Sequence, residues 1–82
     1  MKIKRVIRVF NISDEELVTE ILLKNKDSER IKKLFKANNF DQNHYGIYEI
    51  GVSEFNIISH FLPTIKKYNL KYFELYFTAY TI

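Results

Sequence analysis

Two histidines, ten carboxylates, a few serines and six tyrosines are the side chains with which this chain could do chemistry. His44 and His60 lie far apart in sequence, with no His-x3-His or carboxylate spacing around them, so they do not read as metal ligands. Their expected roles are ordinary ones, at the surface or at a helix edge. No serine sits in a Gly-x-Ser-x-Gly elbow, and nothing pairs a nucleophile with a base. The carboxylates Asp14, Glu15, Glu16 and Glu20 cluster, but a helix start explains them better than acid–base catalysis. Both glycines stand alone, so there is no phosphate-cradling loop. The chain is therefore expected not to be an enzyme and to use no metal or cofactor.

The tyrosines carry more promise. Tyr72, Tyr76 and Tyr80 recur every four residues in an alternating segment, with Glu74 among them. On a strand they share one side. If the first strand lies alongside, Lys4 and Arg8 join that side and can pair with carboxylates or stack on the rings. Glu49, on another expected strand, is a further candidate. An uncovered stripe of Tyr and charge suits solvent, and it also has the makeup of a protein-binding patch. Aromatics on a sheet can also stack nucleic-acid bases. That alternative is less favoured, because Glu74 interrupts the stripe and no RNA-recognition signature is present.

Composition sets the frame for these residues. The chain has 82 residues, 46% hydrophobic and 16% aromatic, with only two Gly and one Pro. That supports one ordered domain over residues 1–82 with one core. Cysteine is absent, which removes disulfide staples and thiolate metal sites. The N-terminus lacks the apolar stretch of a signal peptide, and no apolar run approaches a membrane span. A cytoplasmic location is expected, with neither a membrane nor a small-molecule substrate as partner. The net charge is +3, but the signs alternate along the chain. Basic residues open it, Asp14 to Glu20 follow, and a lysine-rich stretch comes next. A dedicated nucleic-acid protein would concentrate its basic charge.

The elements expected to position the candidates run β-α-α-β-α-β. Residues 3–10 read as a strand with Ile3, Ile7 and Val9 on one side and Lys4, Val6, Arg8 and Phe10 on the other. Ser13-x-x-Glu16 matches a capping box, with Ile12 and Leu17 spaced as a hydrophobic staple. A helix is expected from there to about Asn25, with Leu17, Val18, Ile21 and Leu22 as its stripe. A second helix, capped by Asp27 or Ser28, carries Ile31, Leu34 and Phe35 and ends at Asn38-Asn39, before a polar loop over residues 40–44. Residues 45–51 read as a strand. A third helix, capped by Ser53 and with a Val52–Ile57 staple, buries Phe55, Ile58, Phe61, Leu62 and Ile65, breaks near Pro63 and closes at Asn69. Residues 71–79 form the clearest strand, with Phe73, Leu75, Phe77 and Ala79 on its apolar side. The expected class is α+β: one small three-stranded sheet with three helices packed on one face.

The segments Arg5-Val-Ile-Arg-Val-Phe10, Leu17-Val-Thr-Glu-Ile21 (as a helix) and Tyr72-Phe-Glu-Leu75 resemble small bacterial immunity proteins of contact-dependent growth inhibition and related toxin systems. That resemblance implies a bacterial protein that binds and occludes one cognate toxin domain, often a nuclease. It brings no catalytic motif. Immunity proteins against nucleases are commonly acidic, whereas this chain is net basic, so the resemblance requires a local acidic patch, at Asp14–Glu20 or around Glu49 and Glu74.

Overall fold

β-Branched and aromatic residues fill the two ends of the chain, and those two ends pair with each other in space. The computed structural model describes residues 3–35, 44 and 46–81. Strand β1 (Ile3–Asn11) pairs antiparallel with strand β4 (Phe73–Thr81) along its whole length, from Ile3 opposite Thr81 to Asn11 opposite Phe73. On its other side β1 pairs antiparallel with β2 (Leu17–Leu22). A two-residue strand β3 (Tyr48–Glu49) pairs antiparallel with β4. The sheet order is β2-β1-β4-β3. Helix α1 (Asn25–Lys32) follows β2, and helix α2 (Val52–Phe61) with a 3-10 helix (Pro63–Lys67) joins β3 to β4.

This corrects the expected fold in its counts and in one element. Among the described residues there are four strands rather than three and two α-helices rather than three. The helix expected from Ser13 is a strand, so the order is β-β-α-β-α-β. The helix carried by the resemblance at Leu17–Ile21 is corrected with it. The Ser-x-x-Glu pattern is a local signal worth about 1 kcal/mol, and tertiary pairing outweighs it. As a strand, residues 17–22 extend a ladder with β1 while Ile21 and the following Leu23 pack on the core. Val18, Thr19 and Ile21 are β-branched and suit a strand. Residues 12–16 close the hairpin instead of starting a helix. Asn11 N–H donates to Glu16 O at 2.9 Å, Glu15 N–H to Asn11 O at 2.9 Å, and Glu16 N–H to Asp14 Oδ1 at 3.0 Å. Glu15 adopts φ 59°, which no helix start would require. The ladder slips by one residue between Val9 and Phe10, which leaves Val18 as the extra residue of a bulge.

The remaining elements follow the pattern with local corrections. Asp27 and Ser28 lie inside the first turn of α1, and extended Lys24 precedes it without a side-chain cap. Ser28 is buried and donates to Asn25 O at 3.0 Å. Helix α1 stops at Lys32, so Leu34 and Phe35 reach the core from the turn after it. The expected Asn38-Asn39 stop and most of the 40–44 loop lie outside the described residues. Beside Lys32 at 3.0 Å, the Glu29 carboxyl is held below its usual range. Of the expected 45–51 strand, Tyr48 and Glu49 pair in the sheet, opposite Phe77 and Tyr76, Ile50 N–H adds a bond to Leu75 O at 2.8 Å, and Tyr45 lies outside the described residues. Gly51, not Ser53, precedes α2, and its N–H donates to Glu54 Oε1 at 2.9 Å. Val52 and Ile57 form no staple and are 69% and 48% exposed. Helix α2 breaks at Leu62, as Pro63 demands of the residue before it, and the proline opens the 3-10 helix.

The main core cluster lies on one side of the sheet. Ile7 and Val9 of β1, Leu75 and Phe77 of β4, Ile31 of α1, Ile58 of α2 and Ile65 of the 3-10 helix are fully buried together. Phe35 stacks on Phe77 with ring centroids 6.1 Å apart, and Tyr48 adds a second ring. Among the described residues no helix is long and apolar enough to cross a membrane.

Candidate functional site

The opposite side of the sheet carries the candidate residues, because register decides which side chains share a face. In the β1–β4 ladder Lys4 faces Tyr80, Val6 faces Thr78, Arg8 faces Tyr76 and Phe10 faces Glu74. Glu49 of β3 faces Tyr76 from the other side, and Glu20 of β2 faces Arg8. Partners in a ladder point to the same side. Lys4, Arg8, Glu49, Glu74, Tyr76 and Tyr80 therefore meet on one surface. Tyr72 does not join them. It lies in the turn before β4, 60% exposed, with Lys71 Nζ 5.7 Å from its ring centre.

This open face has a dry floor. Val6 and Thr78 are 1% and 6% exposed although neither described helix lies on this side. Arg8 is the pivot. Its Nε donates to Glu20 Oε2 at 2.7 Å, and its guanidinium carbon lies 5.9 Å from the Tyr80 ring centre. The cross-strand pairing expected for Arg8 is thus with Glu20 of β2. Glu74 takes a different partner: Tyr76 Oη donates to Glu74 Oε2 at 2.8 Å. The phenol pKa is pushed up to about 12, first by that hydrogen bond, then by desolvation and by the charges of Glu74, Glu49 and Glu15. Phe10 sets its ring edge-on to Tyr76 at 5.8 Å. A shallow depression of about 240 Å³ is lined by Arg8, Phe10, Ile47, Tyr76 and Thr78. It adjoins a second one lined by Phe10, Glu15, Glu74 and Tyr76.

The face therefore has two ends. At one, an aromatic pair is ringed by Glu15, Glu49 and Glu74. At the other, Lys4 and Arg8 border Tyr80. Phe10 and Ile47 were absent from the sequence candidates, and Glu15 and Glu20 figured there only as an acidic patch on an expected helix. Phe10 was legible as a neighbour of Arg8 by alternation, whereas Glu15 and Glu20 required the hairpin.

His44 serves the scaffold. His44 Nε2 donates to Phe35 O at 2.6 Å, and its carbonyl accepts from Arg5 Nη1 at 2.9 Å, tying the turn after α1 to β1. His60 is exposed in the last turn of α2. Among the described residues, no three His, Cys, Asp or Glu side chains gather to hold a metal ion, and no buried side-chain polar atom lacks a partner.

Fold and face together define a small antiparallel α+β sheet protein with helices on one side and, among the described residues, none on the other. The chain belongs to the family described as Domain of unknown function (DUF7683), which matches residues 4–77, from the start of β1 into β4. Comparison with curated proteins and with solved structures returns no match.

Proposed function

We propose that this protein works by binding another protein on the open face of its sheet, in the manner of an immunity protein that occludes a toxin domain. The observation that carries the reading is the cluster around Tyr76. An aromatic pair sits over a dry floor, with three carboxylates close enough to raise the phenol's pKa. Aromatic side chains in a partly desolvated setting are the usual anchors of protein interfaces. A ring of carboxylates adds attraction for a basic partner and speeds encounter with it. A nuclease domain presents such a basic surface to its substrate. This also answers the chain's net charge of +3: the acidity the reading requires is local to this face. The nucleic-acid alternative gains less from the same geometry. Glu15, Glu49 and Glu74 oppose a phosphate backbone, and Arg8 is already bonded to Glu20.

The test is co-expression with the C-terminal domain encoded by a toxin gene directly upstream. The two proteins should co-purify, and cells expressing the toxin domain should be protected. Tyr76→Ala combined with Glu74→Lys should abolish both effects, while Lys66→Glu, on the 3-10 helix, should leave them intact. The reading fails if no such gene adjoins this one and candidate toxin domains are neither bound nor neutralised. Salt-dependent binding of single-stranded RNA, lost with Arg8→Ala, would favour the nucleic-acid alternative.

A further inference from the structure

The two edges of the sheet are unequally protected. Edge strand β3 has only two residues, too few to template another strand. Edge strand β2 has six, contains no proline or lysine, and no described residue pairs with its outer side. Sheet edges of this kind invite a further strand unless something blunts them. Large apolar side chains are exposed along it: Leu22 at 62%, Leu17 at 50% and Val18 at 43%.

The hydrogen-bonding phase of β2 follows from its end. Leu23 N–H donates to Arg5 O at 3.0 Å. Antiparallel alternation then turns the backbone groups of Ile21 and Leu23 toward β1 and those of Leu22 and Glu20 outward. Lys24 continues in extended conformation, with φ −74° and ψ 153°, so its N–H also points outward. Its carbonyl is taken by Ser28 N–H at 2.9 Å.

We propose that β2 is a dimerisation strand, pairing antiparallel with β2 of a second copy about a two-fold axis at Leu22. Two four-stranded sheets would then run on as one. Three features select this occupant and this register. Leu22, among the most exposed apolar residues of the chain, meets its own copy and is covered. Glu20 of each copy falls opposite Lys24 of the other, so opposite charges meet on both sides of the axis. Neither Lys24 nor its neighbour across the ladder, Lys4, has an ion pair among the described residues. The regular stretch Thr19–Lys24 suffices, so the bulge at Val18 stays outside the contact. An axis at Glu20 would instead set two carboxylates directly against each other, which destabilises a strand pair. The pairing leaves the Tyr76 face uncovered and shares with it only Glu20, which also holds Arg8 at 2.7 Å.

Such an edge contact falls at or below the small end of specific interfaces, roughly 1,200 Å² in total. The dimer should therefore form with rising concentration and not be permanent. Sedimentation equilibrium of the full chain should show mass rising from 9.9 kDa toward twice that value. Glu20→Lys and Lys24→Glu should each raise the dissociation constant roughly tenfold, because two pairs turn from attraction to repulsion. The double swap should restore it, which a folding defect in either single variant would not do. Val52→Lys with Ile57→Lys, on α2, should change nothing. Since the chain has no cysteine, Leu22→Cys should form a disulfide-linked dimer on mild oxidation, its partner Cα about 5.5 Å away, while Glu20→Cys should not. A chain that stays monomeric at every concentration overturns the proposal. So does a dimer insensitive to Lys24→Glu, or one crosslinked through Glu20→Cys but not through Leu22→Cys.

Discussion

Replacing Ile21 and Leu22 separately by alanine tests the reassignment of Leu17–Leu22 from helix to strand. In the expected helix both belong to one apolar stripe, and both replacements would cost similar amounts. In the strand they point to opposite sides. Ile21 is half-buried and packs against the cluster of Ile7, Val9 and Phe77. Removing three carbons from such a site costs about 2 kcal/mol, the low end for Ile→Ala because the site is not fully enclosed. Leu22 is 62% exposed, so its truncation should stay within about 0.5 kcal/mol. Urea unfolding followed by circular dichroism resolves that difference as a shift in midpoint at unchanged slope. It should be run at low concentration, where contacts between copies do not contribute. Hydrogen exchange under the same conditions gives a second reading. The amides of Ile21 and Leu23 should be protected by β1, and those of Glu20 and Leu22 should exchange fast. Equal costs for the two replacements, or unbroken protection from Val18 to Leu22, would refute the strand assignment.

Two further outcomes follow from local geometry. Tyr76 should titrate at about 12, followed by tyrosinate absorbance, and Glu74→Gln should bring it down by removing the negative charge of its acceptor. The phenol is neutral when protonated, so a raised folded pKa means the folded state holds the proton more tightly. The stabilisation is in place below the unfolded value of about 10 and is lost as pH rises from there through about 12. It amounts to at most about 1 kcal/mol, since the titrating hydroxyl lies near solvent. Glu15→Asn should stabilise the protein by roughly 0.5–1 kcal/mol, because φ 59° strains a glutamate more than an asparagine. In a helix start the same change would be neutral or harmful, and thermal unfolding separates the two.

Much of the scaffold was legible because its signals are periodic and strong. Alternation over residues 71–79 placed Leu75 and Phe77 inside and Glu74 and Tyr76 outside, as β4 does. The apolar positions Ile58 and Ile65, and the break imposed by Pro63, were readable from helical spacing and ring sterics. Residues 17–22 were not. Leu17, Val18, Ile21 and Leu22 satisfy a helical stripe, while Thr19, Ile21 and Leu23 satisfy a strand's inner side. Two periods fit one short segment, and the capping pattern before it tipped the local reading toward helix.

What the sequence determined by itself was therefore the set of faces: which residues of β4 and α2 seek the core, which tyrosines and charges must stay outside, and where proline ends a helix. These depend on side-chain chemistry and spacing within one element. The tertiary structure decided which faces meet. Pairing of β1 with β4 placed Arg8 beside Tyr76 and Tyr80, and the hairpin brought Glu20 to Arg8 and Glu15 to the Tyr76 cluster. Register between strands distant in sequence is set by burying Ile7, Val9, Leu75 and Phe77 together, and no local pattern encodes that joint requirement.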